Sequence, residues 1–216
     1  MGNNRTLPGF VKRTVSTIAL LPIVLLLMYT GGLYFNLAVL LCALLMSHEW
    51  RNMVRLKPNI WWYVGEVIYV VGTCMALITL RAVDFYLLLW VCCVVWATDI
   101  GAYLVGSLLG GPKIYPSISP KKSWTGLFGG MVFALVTSYL LYLTMPIPVS
   151  YYLMMTAPLM AIIAQIGDFF ESWMKRHFGV KDSGNLIPGH GGILDRIDGL
   201  APVAVLVALL CAHHSS

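Results

Sequence analysis

Phe85-Tyr-Leu-Leu-Leu-Trp-Val-Cys-Cys-Val-Val-Trp-Ala-Thr-Asp-Ile-Gly-Ala-Tyr-Leu-Val-Gly-Ser-Leu-Leu109 contains a single charged side chain, Asp99. A helix rises about 1.5 Å per residue and the hydrocarbon layer of a bilayer is about 30 Å thick, so roughly 20 apolar residues make one crossing. This stretch exceeds that length and reads as a membrane-spanning helix. The composition around it agrees. Of 216 residues, 59% are hydrophobic and 11% are charged, with a mean hydropathy of +0.80; soluble domains carry about a quarter charged residues. So few charges cannot cover a globule of this size with polar surface. A secreted disulfide scaffold, a disordered tail and a soluble nucleic-acid binder are excluded, the last despite a net charge of +5.

Six further apolar stretches flank this one: Thr14 to Tyr29, Leu33 to Met46, Ile60 to Leu80, Leu127 to Met145, Tyr151 to Phe170 and Leu200 to Cys211. The expected fold class is all-α, a polytopic integral membrane protein of about seven transmembrane helices. The second and seventh stretches are short. The Gly31-Gly32 break is either a turn between two helices or a bend that merges them into one re-entrant unit. Orientation follows from the basic residues. Arg5, Lys12 and Arg13 precede the first stretch, and Arg51, Arg55 and Lys57 follow the second. Lys113, Lys121 and Lys122 follow the fourth, and Lys175, Arg176, Lys181 and Arg196 follow the sixth. That places 13 of 14 on one side, with Arg81 alone on the other. Cytoplasmic loops collect Lys and Arg, so the amino terminus and the even-numbered loops are expected in the cytoplasm. In a bacterium the membrane would be the plasma membrane. No small-x-small cleavage pattern follows the first stretch, which separates it from a secretory signal. The five cysteines all lie inside apolar stretches without metal-ligand spacing and read as small hydrophobes.

Five of the nine acidic residues fall in one window, Asp168-Phe-Phe-Glu-Ser-Trp-Met-Lys-Arg-His-Phe-Gly-Val-Lys-Asp-Ser-Gly-Asn-Leu-Ile-Pro-Gly-His-Gly-Gly-Ile-Leu-Asp-Arg-Ile-Asp198. If the sixth helix continues past Phe170, Asp168, Ser172 and Lys175 stand at i, i+4 and i+7 on one face. Gly179 and Ser183 to Asn185 end that helix, and Pro188-Gly-His-Gly-Gly192 is a loop whose glycines permit close backbone approach to a ligand. A second helix starts near Ile193, with Asp195 and Asp198 on one face. Two carboxylates so placed repel, more strongly at a membrane edge of reduced dielectric. Arg196 points elsewhere, so a divalent cation is the economical offset, with Asp168 completing its shell. Hard oxygen ligands with room for water and phosphate suit Mg²⁺, and Lys175, Arg176, Lys181 and Arg196 suit the phosphates. A solvated loop whose charges anchor helix ends at the headgroups has the same composition, and composition alone leaves both open.

A weaker polar island precedes it. Asp99 is an ionisable group inside a span, a functional candidate because burying it unpaired costs several kcal/mol. The loop beyond it, Gly110-Gly-Pro-Lys-Ile-Tyr-Pro-Ser-Ile-Ser-Pro-Lys-Lys-Ser-Trp-Thr-Gly126, offers glycines, hydroxyls, Lys121, Lys122 and Trp124 to an anion and an aromatic ring. An ordinary surface loop would look the same. Glu49 and Glu66, near the inner ends of the second and third spans, could each act as a ligand or pair with the polar islands, but a helix-end salt bridge is the role expected of them.

Ser172-Trp-Met-Lys-Arg176, Lys181-Asp182, Pro188-Gly-His-Gly-Gly192 and Asp195-Arg-Ile-Asp198, in that order and spacing, resemble the signature of the phosphatidate cytidylyltransferases, also called CDP-diacylglycerol synthases. Asp99-Ile-Gly-Ala-Tyr103 and Ile118-Ser-Pro-Lys-Lys-Ser-Trp-Thr-Gly126 are similar to upstream motifs of that family. Ile100 stands where the family commonly has Thr, and Thr125 where it commonly has Glu. The likeness covers roughly Ala97 to Gly199. It divides the chain into amino-terminal helices, 1–96, for anchoring and lipid entry, and a catalytic membrane region, 97–216. It implies transfer of a cytidylyl group from CTP to phosphatidate with Mg²⁺, one cation or two, in a bilayer-embedded protein with a cytoplasmic site; a homodimer is also implied. Asp168 and Asp195 would ligate the metal, with Asp198 a ligand or the group that holds one. Lys175, Arg176, Lys181 and Arg196 would neutralise phosphates, and Ser172 would donate to a phosphate or ligate the metal. His190 and the backbone of Gly191 and Gly192 would line the phosphate cradle. Lys121, Lys122 and Trp124 would close the site, and Asp99 would complete the substrate contacts.

Three alternatives share the composition. A CTP-dependent kinase of a polyprenol or other lipid alcohol also lacks a soluble nucleotide domain, but His190-Gly-Gly-x-x-Asp195-Arg-x-Asp198 argues for the cytidylyltransferase. A CDP-alcohol phosphotransferase would need an Ala-Arg pair and later aspartates that are absent. A small ion or metabolite transporter would place charges near the midplane and often repeat its halves; here they crowd one interface without a repeat.

Overall fold

The fourth stretch forms a helix with the bounds the sequence suggests, and the other elements are arranged around it. The structure, a computed structural model, describes residues 9–145, 151–184, 186 and 191–214, and side chains within 18–212. In chain order the elements are α1 (Gly9–Thr30), α2 (Gly32–Val54), α3 (Ile60–Val83), α4 (Phe85–Leu109), β1 (Lys113–Tyr115), β2 (Ser119–Ser123), α5 (Trp124–Thr144), α6 (Tyr151–His177), α7 (Leu194–Ile197) and α8 (Leu200–His214). The Pro146-Ile147-Pro148 turn, Arg5 and the side chains of Lys12 and Arg13 lie outside the described residues.

Each of the seven apolar stretches corresponds to a helix. Four of these, α2 to α5, are long and apolar enough to cross a membrane, and Ile18–Thr30 and Leu200–Ala212 are shorter apolar segments. Their outward faces carry exposed large apolar side chains such as Leu33, Leu44, Ile68, Phe128 and Leu143. A surface of that kind is stable against lipid, not water. The chain is an integral membrane protein and largely helical.

The structure departs most informatively from the sequence-derived elements in two places. The loop from Gly110 to Gly126 contains an antiparallel hairpin, with Lys113 opposite Ser123 and Tyr115 opposite Ser119, so the fold is not purely α. The second stretch was short only because its apolar run stops at Met46; α2 continues through His48, Glu49 and Arg51 to Val54, 23 residues in all. Gly31, at φ 62°, separates α1 from α2. The guanidinium of Arg81 lies where a Gly31 side chain would stand, and donates to the carbonyls of Met28 and of Tyr29, the latter at 2.9 Å. Arg81 thus caps the end of α1, satisfying carbonyls that the helix itself leaves open.

At the centre, α4 packs chiefly on α5 and also meets α3, α6 and α8. Half of its most apolar window is buried within the protein. The α4–α5 seam is built on glycine: a Cβ at Gly101 would lie 2.8 Å from the Gly129 carbonyl oxygen, and one at Gly129 would lie 2.9 Å from that of Gly101. Helices in lipid gain little by hiding apolar surface from each other, so close backbone contact between small residues supplies the packing. Side-chain caps fix the helix starts: Asn59 accepts from Trp61, Asp84 from Tyr86 and Ser123 from Gly126.

Candidate active site

The polar ends of α4, α6 and the hairpin converge with α7. Helix α6 does run past Phe170, to His177. Glu171 and Lys175 support it as an i, i+4 pair at 3.1 Å, and Lys57 Nζ donates to the His177 carbonyl at 2.7 Å. Gly179, at φ 73°, then turns the chain away. It returns at Gly191 and enters α7, with Asp195 on the short helix and Asp198 at its end.

Asp195 sits at the middle of a dense network. Its Oδ1 accepts from Lys175 Nζ at 2.6 Å. Its Oδ2 accepts the backbone N–H of Ser183 at 3.1 Å, the Ser183 hydroxyl at 3.0 Å and the Gly192 N–H at 2.9 Å. Burial pushes the Asp195 carboxyl up, but the bonds from Lys175 and from Gly192 outweigh it and hold the group below the usual carboxylate range. Gly191, at φ 84°, is required here: a Cβ would lie 2.6 Å from Asp195 Oδ2. Lys175 of α6, expected from the sequence to meet phosphates, is here the positive partner of Asp195.

A second pair closes the site from the hairpin. Lys122 Nζ meets Asp168 Oδ2 at 2.7 Å and lies 4.7 Å from the centre of the Phe169 ring. Around it the carboxylates crowd. Asp168 and Asp198 both act electrostatically on Asp99, as do the positive charges of Lys122 and Arg196. Burial first, then the negative charge of Asp168, pushes the Asp198 carboxyl up to about 7. Glu171 is 3% exposed, and its Oε1 has no hydrogen-bond partner.

Of the residues singled out in the sequence, the structure therefore brings together Asp99, Asp168, Asp198, Lys122 and Arg196 in one group. Lys175, Asp195, Gly191 and Gly192 form the adjoining one. Ser172 is half-buried on α6. Arg176 is exposed and donates to the Val180 carbonyl at 3.3 Å, holding the turn after α6. Lys121, Trp124 and Lys181 stand at the surface. His190 lies outside the described residues. The two departures from the family pattern have local explanations: Ile100 faces outward, and the Thr125 hydroxyl donates to the Gly110 carbonyl, tying the hairpin to the end of α4.

Three participants, Glu171, Tyr69 and Ser183, escaped the sequence reading, and a fourth, Glu49, was expected there chiefly in a helix-end salt bridge. Glu171 was visible as an i, i+4 partner of Lys175 but was given no role. Tyr69 of α3 lies within electrostatic reach of Asp198, Glu171 and Asp168, and no local pattern marks it. Ser183 and Glu49 join the Asp195 network, as Ser183 Oγ lies 3.1 Å from Glu49 Oε2. For Glu49 the available signal was its neighbourhood: Leu45 and Met53 stand at i−4 and i+4, so no helical neighbour could pair with it. Glu66, by contrast, takes the expected helix-end salt bridge, with Arg51 Nε at 2.8 Å.

Among the described residues no group of three His, Cys, Asp or Glu side chains is drawn together as a ready-made metal cage. The donor set still fits a hard divalent cation. It is all oxygen, its negative charges act on one another, and Glu171 Oε1 is buried without a partner.

Known proteins resemble this chain as follows. The sequence matches the profile of the Cytidylyltransferase family over residues 11–71 and 59–214. It is 40% identical over 174 residues to the phosphatidate cytidylyltransferase of Brucella suis biovar 1 (strain 1330), covering 79% of this chain and 62% of that protein. It is 43% identical over 150 residues to that of Bacillus subtilis (strain 168), covering 67% and 56% respectively. To that of Rickettsia bellii (strain RML369-C) it is 34% identical over 204 residues, covering 90% and 87%. The chain thus spans 62% of the length of the Brucella protein, and most of the Rickettsia one.

Proposed function

The chain belongs to the cytidylyltransferase family, and from that premise we propose that it transfers the cytidylyl group of CTP to phosphatidate, giving CDP-diacylglycerol and pyrophosphate in phospholipid synthesis. The observation that carries the proposal is the meeting of Asp99, Asp168 and Asp198 with Lys122, next to the Lys175–Asp195 pair. Negative charge in excess of its ion-paired lysines, beside movable ammonium groups, is the arrangement that a cation-assisted triphosphate reaction uses.

In this mechanism a phosphatidate oxygen attacks the α-phosphorus of CTP. The bond from that phosphorus to the bridging oxygen breaks, and the electron pair leaves with pyrophosphate. Positioning and charge neutralisation carry most of such a transfer, so no covalent enzyme intermediate is needed. Lys175 and Lys122 exchange part of their carboxylate contacts for phosphate oxygens, while Arg196, Arg176 and Lys181 draw the anionic substrates to this face. Ser172 and the backbone at Gly191 and Gly192 orient phosphate oxygens, and His190 belongs to the same cradle. Lys121 and Trp124 close the hairpin side. Asp168 and Asp195 would be the residues to hold Mg²⁺, with Asp198 a ligand or the group that holds one, and when bound it would neutralise triphosphate charge.

The topology proposed is seven crossings with the amino terminus and the site cytoplasmic, where CTP is available. It is supported by the 13-to-1 division of Lys and Arg. Phosphatidate would enter laterally at headgroup depth, past the 1–96 helices toward 97–216; the family resemblance adds a homodimer. The test is incubation of the purified chain with phosphatidate, Mg²⁺ and CTP labelled on either the α- or the γ-phosphorus. Label from the α position in a CDP-lipid is expected. Label from the γ position on a lipid alcohol would replace this reading with the kinase.

A further inference from the structure

Glu49 stands outside every motif in the sequence and outside the carboxylate cluster, on α2 of the amino-terminal half. Its side chain is 1% exposed, and among the described residues no Lys or Arg pairs with it. Three neutral donors meet it instead. Oε1 accepts the N–H of Ile193 at 2.9 Å. Oε2 accepts the N–H of Leu194 at 2.9 Å and faces the Ser183 hydroxyl at 3.1 Å. The chain makes room for this contact: a Cβ at Gly184 would lie 2.7 Å from Oε1, and one at Gly192 would overlap both Oε2 and Ser183 Oγ.

The partners decide what kind of side chain can serve. With donors on both oxygens, the group must accept at both, which a carboxylate does and a carboxamide cannot. A buried carboxylate without a cation costs several kcal/mol unless hydrogen bonds replace its water, so its place here is tied to this segment of chain. The Ser183 hydroxyl also lies 3.0 Å from Asp195 Oδ2. It has one proton, and so donates to Glu49 or to Asp195 but not to both at once. The segment that presents Asp195, and Asp198 three residues on, is therefore held from one side by α2 and from the other by its own aspartate.

We propose that Glu49 is a positioning residue for the transfer: it fixes Ser183, Ile193 and Leu194, and through them aims Asp195 at Lys175 and Asp198 toward Asp168. This rests on the function proposed above. It gives the amino-terminal helices a part in the chemistry beyond anchoring, since α2 supplies the fixed end of the segment that carries two of the site's carboxylates.

The test uses the full chain in detergent or nanodiscs, with Glu49→Gln, Glu49→Ala, Glu49→Asp and Ser183→Ala compared at equal folded protein. A misplacement of about 1 Å costs on the order of 10²-fold in rate, so Glu49→Gln and Glu49→Ala should lower kcat by about that factor. KM for CTP should move by less than about threefold, because the substrate-facing groups remain. Glu49→Asp should recover part of the rate, and Ser183→Ala, which leaves both amide bonds intact, should lose less. Amide hydrogen exchange read on the same samples should quicken about tenfold at residues 192–195 in Glu49→Gln and stay unchanged in the α4–α5 seam. Activity of Glu49→Gln within twofold of the unmodified chain would overturn the proposal. So would a rate loss matched by faster exchange throughout α4 and α5, since that is a general loss of structure. If the unmodified chain makes no CDP-lipid, the function reading has failed by itself, and unchanged exchange at 192–195 in Glu49→Gln would then overturn the positioning as well.

Discussion

Glu66 and Glu171 are almost equally buried, at 2% and 3% exposed, and both lie on long helices toward the basic side of the molecule. Their surroundings differ. Glu66 has Arg51 to itself, and that side chain is 58% exposed, so the pair reaches water. Glu171 must share Lys175 with Asp195, its Oε1 has no partner, and the charges of Asp198 and Asp168 lie close by. Where each buried charge meets one opposite charge, the arrangement is complete and serves to hold helices together. Where carboxylates outnumber their paired lysines, the arrangement is stable only with something positive added or a proton retained. On the function proposed above, that difference separates structural charge from catalytic charge in a chain that has little of either.

The largest effect expected is at Asp168. Asp168→Asn should lower cytidylyl transfer by more than about 100-fold, while the melting midpoint stays within about 2 °C, because removing one of several like charges relieves as much as the lost Lys122 pair supplied. A midpoint that collapsed with the activity would place Asp168 with Glu66 as a structural charge. Next comes a region with no charge at all. Gly129→Leu forces α4 from α5 and should destabilise the chain by about 3 kcal/mol, read by denaturant or thermal unfolding in detergent, with the site chemistry intact in whatever fraction stays folded. Glu66→Gln should cost about 1–2 kcal/mol, discounted for the exposed Arg51, and leave the transfer rate measurable at low temperature.

The smallest effect is a pH dependence. With the Asp198 carboxyl at about 7, the native state holds a proton that the unfolded chain has lost. Its contribution to stability therefore falls as pH rises from the ordinary carboxylate range of about 4 to about 7, and is flat above that. On the proposed function, a bound cation would compete with that proton. Added Mg²⁺ should raise the melting midpoint by about 3 °C at pH 8 and by less at pH 6, and Asp198→Asn should abolish the difference. An equal shift at both pH values would show that Asp198 does not take part in cation binding.

Much of the fold was legible because a bilayer imposes a length, and apolar runs of that length are hard to mistake. The hairpin was not, since Ser119-Pro-Lys-Lys-Ser123 has no alternation of β-branched or apolar residues and forms against the end of α4 for tertiary reasons. The inner end of α2 was hidden for the opposite reason: His48, Glu49 and Arg51 break the apolar run without breaking the helix. At the site, the positions of Asp168, Lys175, Asp195 and Asp198 could be read from helical spacing and family likeness. Which lysine meets which aspartate could not, because Lys122 and Lys175 reach partners 46 and 20 residues away. The partners of Glu49 were furthest from reach, since two of the three are backbone amides, which no side-chain pattern reports.

The most direct measurement is the appearance of α-phosphorus label from CTP in CDP-lipid, followed side by side for the unmodified chain, Glu66→Gln and Asp195→Asn at equal folded, membrane-inserted protein. Labelled lipid from the first two and none from Asp195→Asn is the expected result. Labelled lipid from Asp195→Asn at the rate of the unmodified chain would contradict the assignment of this carboxylate-rich face as the site of transfer.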